Sequence, residues 1–318
     1  MAEQRPVAVT PEIAPPPGRA AFAGRASIHP TLRRCLRDRT VQLSGGLLVV
    51  LALGAILAPY VGLPDPATAD LFNVRAEPSV SHWLGTDALG RDTFARVVHG
   101  GRVSLLVGFI AVSVAVVVGV PLGLLTGFVG GALDTVVMRV VEVIMAVPGI
   151  LLALAIMTTL GPGIWNAMLA IGFVSSPGYV RLIRGEALSA RSQDYVLASR
   201  AVGAGNVRLM AVHVFPATLP ALIVQISLGI AFAILTEAGL SFLGLGVQPP
   251  TPSWGGMVQV GYPFLQTAPW MVIGPGTAIF VAVLAFNLLG DGLRDVLDPR
   301  LRNRDAPRGR RGGATERQ

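Results

Sequence analysis

The chain has 318 residues, 52% of them hydrophobic and 14% charged, with a mean hydropathy of +0.63. A soluble domain carries about 25% charged residues, so a water-soluble globule is excluded. All 25 basic residues behind the formal charge of +7 are arginine, which also excludes a P-loop with its phosphate-binding lysine.

Residues 1–40 hold six prolines and seven arginines without a long apolar run, and read as a disordered cytoplasmic tail. Charge-free stretches then recur at 40–64, 103–133, 143–180, 209–236 and 238–290. A bilayer core about 30 Å thick takes roughly 20 apolar helical residues to cross. These stretches accommodate six spans of an all-α polytopic membrane protein. Span 1 is 41–63; it is too long for a signal-peptide core and no small-residue cleavage site follows, so it reads as a retained anchor. A polar segment follows to Arg102, carrying Asp65, Asp70, Glu77, Asp87 and Asp92.

Span 2, 103–127, carries Ala111, Ala115, Gly119, Gly123, Gly127 and Gly131, each four apart. On a helix these form one narrow stripe that lets another backbone approach closely, inside the subunit or in a partner. Span 3 is 135–159, with Pro148 as a kink. Arg139 and Glu142 near its start have the spacing of a local ion pair, although a contact with another subunit fits equally. Gly161-Pro162-Gly163 makes a turn, and span 4 is 164–182.

The segment 181–215 has five arginines against Glu186 and Asp194. Leu188, Tyr195 and Val202 recur at heptad spacing with Ala198 on the same side, which predicts an amphipathic helix. Gly203 ends it in a left-handed turn, and Val207, Met210 and Val214 mark a second short helix leading to Pro216. Such an elbow suits docking of another protein, or rests on lipid. Span 5 is 216–238. Gln225, Ser227 and Thr236 are candidates to line a path, and Glu237, near the outer end, is a candidate gate at the interface. The stretch 246–268, with Pro249, Pro250, Pro252 and Trp254, cannot be one clean helix and reads as a re-entrant or interfacial loop. Span 6 is 270–290, and 291–318 is a charged cytoplasmic tail.

With the N-terminus inside, cytoplasmic segments hold 21 of the 25 arginines, against Arg75, Arg91, Arg96 and Arg102 outside. The positive-inside rule then puts both termini in the cytoplasm. The arginines lie between and beyond the spans, so they report topology, and a nucleic-acid partner is not implied. Cys35 is the single cysteine, and His29, His82, His99 and His213 show no metal-ligand spacing. No GxSxG, HExxH or GxGxxG occurs, so no catalytic set is expected.

Leu197-Ala198-Ser199-x-x-x-Gly203, followed by His213-x-Phe215-Pro216, resembles the EAA loop of ABC-importer permeases. It departs from that pattern at Leu197, Ser199, His213 and Phe215. The departures are similar to those of the peptide/nickel branch, in which Tyr195-Val196-Leu197-Ala198-Ser199-Arg200-Ala201-Val202-Gly203 has a counterpart throughout. Three further stretches resemble the same branch: His82–Asp92 with Gly100–Leu105, Leu240–Pro250 with Ser253-Trp254-Gly255, and Gly290–Arg300. The last three motifs point to the C-type subunit.

The resemblance covers about 41–302 and implies a type I ABC-importer permease fold. Within it, 41–100 would hold the first helix and an extracytoplasmic segment, and 101–290 the five-helix transmembrane domain with its coupling loop at 181–216. The resemblance further implies a bacterial plasma (inner) membrane protein that pairs with a second permease as a heterodimer. Two cytoplasmic ATPases using ATP and Mg would sit beneath, and a substrate-binding protein would deliver peptide from outside, landing on 246–268. No cofactor would be bound by this chain. Tyr195, Ala198, Ser199, Arg200, Gly203 and Pro216 would form the ATPase-coupling loop. Nickel chelates or glutathione are alternative substrates. An ion-gradient carrier is the rival class; it would show charges at span centres and internal repeats, and neither is seen. A membrane anchor is a third.

Overall fold

The computed structural model describes residues 34–297, residue 36 excepted. The expected tail at 1–33 and the stretch 298–318, with Asp298, Pro299 and Arg300 of the C-terminal motif, lie outside the described residues. Among the described residues the chain is helical, with one isolated bridge between Thr86 and Asp92. The helices are α1 (Arg39–Leu57), α2 (Thr93–Val129), α3 (Gly131–Met145), α4 (Gly149–Leu160), α5 (Ile164–Arg191), α6 (Asp194–Ala201), α7 (Asn206–Leu209), α8 (Phe215–Phe242), α9 (Trp254–Gly261) and α10 (Trp270–Leu297). Four helical stretches are long and apolar enough to cross a membrane: 39–60, 93–129, 206–242 and 270–297. A fifth crossing is possible if α3 and α4 count as one broken span.

The centre of the fold is the pairing of α2 with α5. A Cβ built on Gly119 would lie 2.4 Å from Tyr179 Cβ, one on Gly123 2.8 Å from Ile183 Cβ, and one on Gly127 2.6 Å from the Arg184 carbonyl. Backbones this close exclude any side chain, so the small-residue stripe of α2 packs inside the subunit. Gly172 returns the contact, its missing Cβ being 2.7 Å from the Ala111 carbonyl. Gly131 does not join the stripe. The helix ends at Val129, Gly130 and Gly131 take φ values of +72° and +67°, and no atom comes within 4 Å of a Cβ on Gly131.

Helix α8 lies across this pair, with Ile230 and Ile234 against Gly108. The Tyr179 hydroxyl donates to the Gln225 carbonyl at 3.2 Å. Helix α10 covers α8, with Gly290 against Leu228, and α1 sits outermost, with Val41 against Gly292. Apolar core residues include Val107, Met168, Ile171, Ile183, Ile234 and Leu240.

Three boundaries differ from the hydropathy reading. Helix α2 begins at Thr93 rather than 103, because Asp92 caps it (Oδ1 accepts from Ala95 N at 2.7 Å) and Arg96 is buried beside Asp87. Helix α5 runs on to Arg191, through charges that ended the apolar count at 182. The kink expected at Pro148 is a full break: α3 and α4 meet at 89°. Proline cannot donate the next backbone bond and holds the preceding residue away from helical geometry.

The segment between α1 and α2 is folded around buried charge. Asp87 accepts from the backbone of Leu89 and Arg91 and from Arg91 Nε at 2.7 Å, and Arg96 Nε stands 3.4 Å away. Asp92 also meets His82 Nδ1 at 2.9 Å. Gly85 and Gly90 have φ of +62° and +74°, and a Cβ on Gly90 would overlap the Asp70 carbonyl. Two indoles from later in the chain lock the start of α2 and this segment in place. Trp254 Nε1 donates to the Val97 carbonyl at 2.8 Å, and Trp270 Nε1 to that of Thr86 at 3.1 Å.

Candidate functional site

The elbow forms where α5 stops at Arg191 and the chain turns through Ser192 and Gln193. This break divides the predicted amphipathic helix, so Leu188 and Tyr195 lie on different elements. The buried side of the elbow also differs from the heptad stripe. Val196, Leu209 and Val214 are the inward residues, packed with Phe128, Ala187 and Ala190 in a cluster separate from the main core. Tyr195, Leu197 and Val202 are exposed, Val202 to 90%. Ala198 is exposed beside them.

Gly203 closes α6 with a Schellman turn. Its N–H donates to the Arg200 carbonyl at 2.9 Å, Ala204 N donates to the Ser199 carbonyl at 3.1 Å, and φ is +92°. A Cβ there would meet nothing within 4 Å, so glycine is required by conformation alone. Arg200 lies over the Phe128 ring, 5.5 Å from its centroid, tying α6 to the end of α2.

Pro216 stands in the first turn of α8, yet it does not open the helical stretch. Residues 206–242 are continuously helical, with a π turn over Met210–Val214 just ahead of the proline. There Phe215 N donates to the Met210 carbonyl, five residues back. Wide turns of this kind recur at functional sites. His213 lies in this turn, its Nε2 3.0 Å from Ser199 Oγ and its ring stacked on Tyr195 at 6.2 Å. In the sequence His213 stands as a departure from the EAA pattern that is similar to the peptide/nickel branch, and its place in the elbow was the signal it carried.

The other candidates lie elsewhere. Gln225 is half-buried in a recess of about 480 Å³, lined also by Glu186, Pro220, Val224 and Arg294. Ser227 and Thr236 donate to carbonyls of their own helix. Glu237 is fully buried within the protein, and Oε1 accepts from Ser241 Oγ at 2.6 Å. Ser241 Oγ in turn accepts from Val247 N at 3.2 Å, so the carboxylate is anchored beneath the turn after α8. Arg139 and Glu142 pair at 3.1 Å on an exposed surface. Between α3 and α5, Arg184 holds Asp134, a contact spacing could not reveal. Among the described residues no three His, Cys, Asp or Glu side chains gather as metal ligands would.

Residues 119–303 match the family of binding-protein-dependent transport system inner membrane components. The di/tripeptide transport system permease protein DppC of Pseudomonas aeruginosa is 46% identical over 267 residues, 81% of this chain and 88% of the relative. The dipeptide transport system permease protein DppC of Alkalihalophilus pseudofirmus is 39% identical over 295 residues, 93% of this chain and 97% of the relative. The glutathione transport system permease protein GsiD of Pectobacterium atrosepticum is 42% identical, covering 85% and 90%. Among solved structures, an inward-facing MetNI methionine ABC transporter superposes with a TM-score of 0.52 at 18% identity, covering 64% of this chain and 96% of that one. That likeness is one of fold.

Proposed function

The chain belongs to the family of binding-protein-dependent transport system inner membrane components, as a permease subunit of an ABC importer, and we propose that it carries di- or oligopeptides. The relatives named for dipeptide, di/tripeptide and glutathione transport support a short-peptide substrate. In this proposal the chain crosses a bacterial plasma membrane six times, with both termini in the cytoplasm. A second permease completes the path, and a binding protein delivers substrate from outside. Two ATPases beneath supply the energy, so ATP and Mg are used by partners and no cofactor is held here.

The observation that carries the energetic half of this reading is the exposed apolar side chains of α6 and of its C-cap, Val202. Tyr195, Leu197 and Val202 project outward while Val196 anchors the helix from below. A short helix whose apolar side chains face both inward and outward gains by burying the outer set against a partner. Docked in a groove of an ATPase, α6 would follow that subunit's closure and pull on α5 and α8. The test is uptake of labelled dipeptide into proteoliposomes holding the full complex. Uptake should track ATP hydrolysis, and Val202→Asp should strip the ATPases from the purified complex. Uptake that persists with a non-hydrolysable nucleotide and collapses with an ionophore would overturn the proposal.

A further inference from the structure

The Ser199 hydroxyl has one hydrogen and two neighbours. It donates to the Tyr195 carbonyl at 2.9 Å, one turn back in α6. His213 Nε2 stands 3.0 Å from the same oxygen. With the hydroxyl hydrogen committed to Tyr195, the imidazole must be the donor, which places the proton of the neutral ring on Nε2. The other ring nitrogen leads to the same assignment. Nδ1 is buried and has no partner among the described residues. A bare lone pair there is tolerable, whereas a buried N–H without an acceptor is rarer and costlier. Two independent observations thus point to the same tautomer.

This bond joins two elements that otherwise meet only through apolar packing and the chain itself. Ser199 is on α6, and His213 is in the π turn that runs into α8. Val196 against Leu209 and Val214 can slide, because apolar contact has little directional preference. A hydrogen bond from a ring stacked on Tyr195 cannot turn without breaking. We propose that His213 is a positioning residue for transport: its Nε2–H bond to Ser199 fixes the rotation of α6 against α8, so displacement of the elbow is passed to the spanning helix. This rests on the reading of α6 as the ATPase-coupling helix.

The test uses the reconstituted complex, with uptake per ATP hydrolysed as the readout. His213→Phe keeps a stacking ring and loses the donor; Ser199→Ala loses the acceptor. Each should lower uptake per ATP about two- to tenfold, the range that one hydrogen bond supports. The double variant should fall no further, since both remove the same bond. His213→Gln, whose amide nitrogen reaches where Nε2 was, should restore most of the ratio. A purely structural role would lower the yield of complex but leave uptake per ATP of the assembled fraction unchanged, and that result overturns the proposal. Additive losses, or failure of glutamine to rescue, overturn it too. Nitrogen-15 histidine spectra, with the His213→Phe spectrum subtracted, should show the Nε2–H tautomer; an Nδ1–H pattern is a further refutation. Val202→Asp separates the two readings. If it strips the ATPases while His213→Phe couples normally, the strut fails and the docking surface stands.

Discussion

Arg184 grips Asp134 through two parallel hydrogen bonds, Nε to Oδ1 at 2.5 Å and Nη2 to Oδ2 at 2.8 Å. The pair spans from α5 to the first turn of α3, just past the corner at Gly130 and Gly131. It therefore sets the direction in which the chain leaves α2. Lysine offers one ammonium where the guanidinium offers a planar fork. Arg184→Lys should therefore lower stability by about 1 kcal/mol or less, because the pair is partly exposed. Asp134→Asn should cost a similar amount, and thermal unfolding in detergent would show whether the two losses coincide.

Glycines of α2 and α5 should divide sharply by position. Gly123→Ala forces a methyl to 2.8 Å from both Ile183 Cβ and the Val180 carbonyl. Overpacking of that kind costs about 1–3 kcal/mol, and Gly123→Leu should prevent assembly altogether. Gly178 and Gly185 have no atom within 4 Å of a built Cβ, so alanine there should be neutral or stabilising. Yield of monodisperse protein separates the two groups. Equal tolerance at Gly123 and Gly185 would contradict the packing described.

At Gly203 the constraint is the backbone, since space is open around it. Valine in a left-handed conformation costs roughly 1 kcal/mol or more, and its branching adds to that. Gly203→Val should preserve membrane insertion but loosen ATPase association and abolish uptake. Asparagine tolerates the left-handed region, so Gly203→Asn should retain most activity. Identical behaviour of the two variants would show that the turn is not what matters.

Asp87 is the counter-ion of two buried arginines, Arg91 and Arg96, all three about 6% exposed. Removing one partner of a buried pair costs about 3–5 kcal/mol. Asp87→Ala should make the segment before α2 susceptible to limited proteolysis. Asp87→Asn, which keeps the shape and some hydrogen bonds, should be milder.

Orientation is open to direct labelling. In a Cys35→Ser background, Pro78→Cys should react with an impermeant thiol reagent added outside, and Ser192→Cys should not. Both positions are exposed, so accessibility of the protein surface is not the variable. Reversed labelling would invert the proposed topology.

The spacing of Gly119, Gly123 and Gly127 marks a close helix contact in the sequence itself, because four-residue periodicity maps directly onto one helix face. That the facing helix is α5 required the fold. Helix α2 begins ten residues before the apolar count does, since Asp92 caps it there and Arg96 is buried beside Asp87. The elbow misled for a related reason. Leu188, Tyr195 and Val202 keep heptad spacing, but the chain turns at Ser192, so the expected single helix is two elements, with Val196 packed inward beneath the exposed Tyr195 and Val202. The burial of Glu237 was not legible, because hydropathy counts distance along a span and cannot see the loop folded over its end. His213 and Ser199 are 14 residues apart on different elements, a pairing that no local pattern encodes.

The two indole bonds have a consequence in time. Trp254 waits on a carbonyl 157 residues earlier in the chain, and Trp270 on one 184 residues earlier. At about 5–20 residues per second, a ribosome makes Thr86 roughly 10–40 s before Trp270 emerges to meet it. Throughout that interval the segment around Asp87 lacks its last clamp. Its closure is therefore a late event of biosynthesis, and protease resistance there, followed by pulse-chase, should date the completion of each molecule.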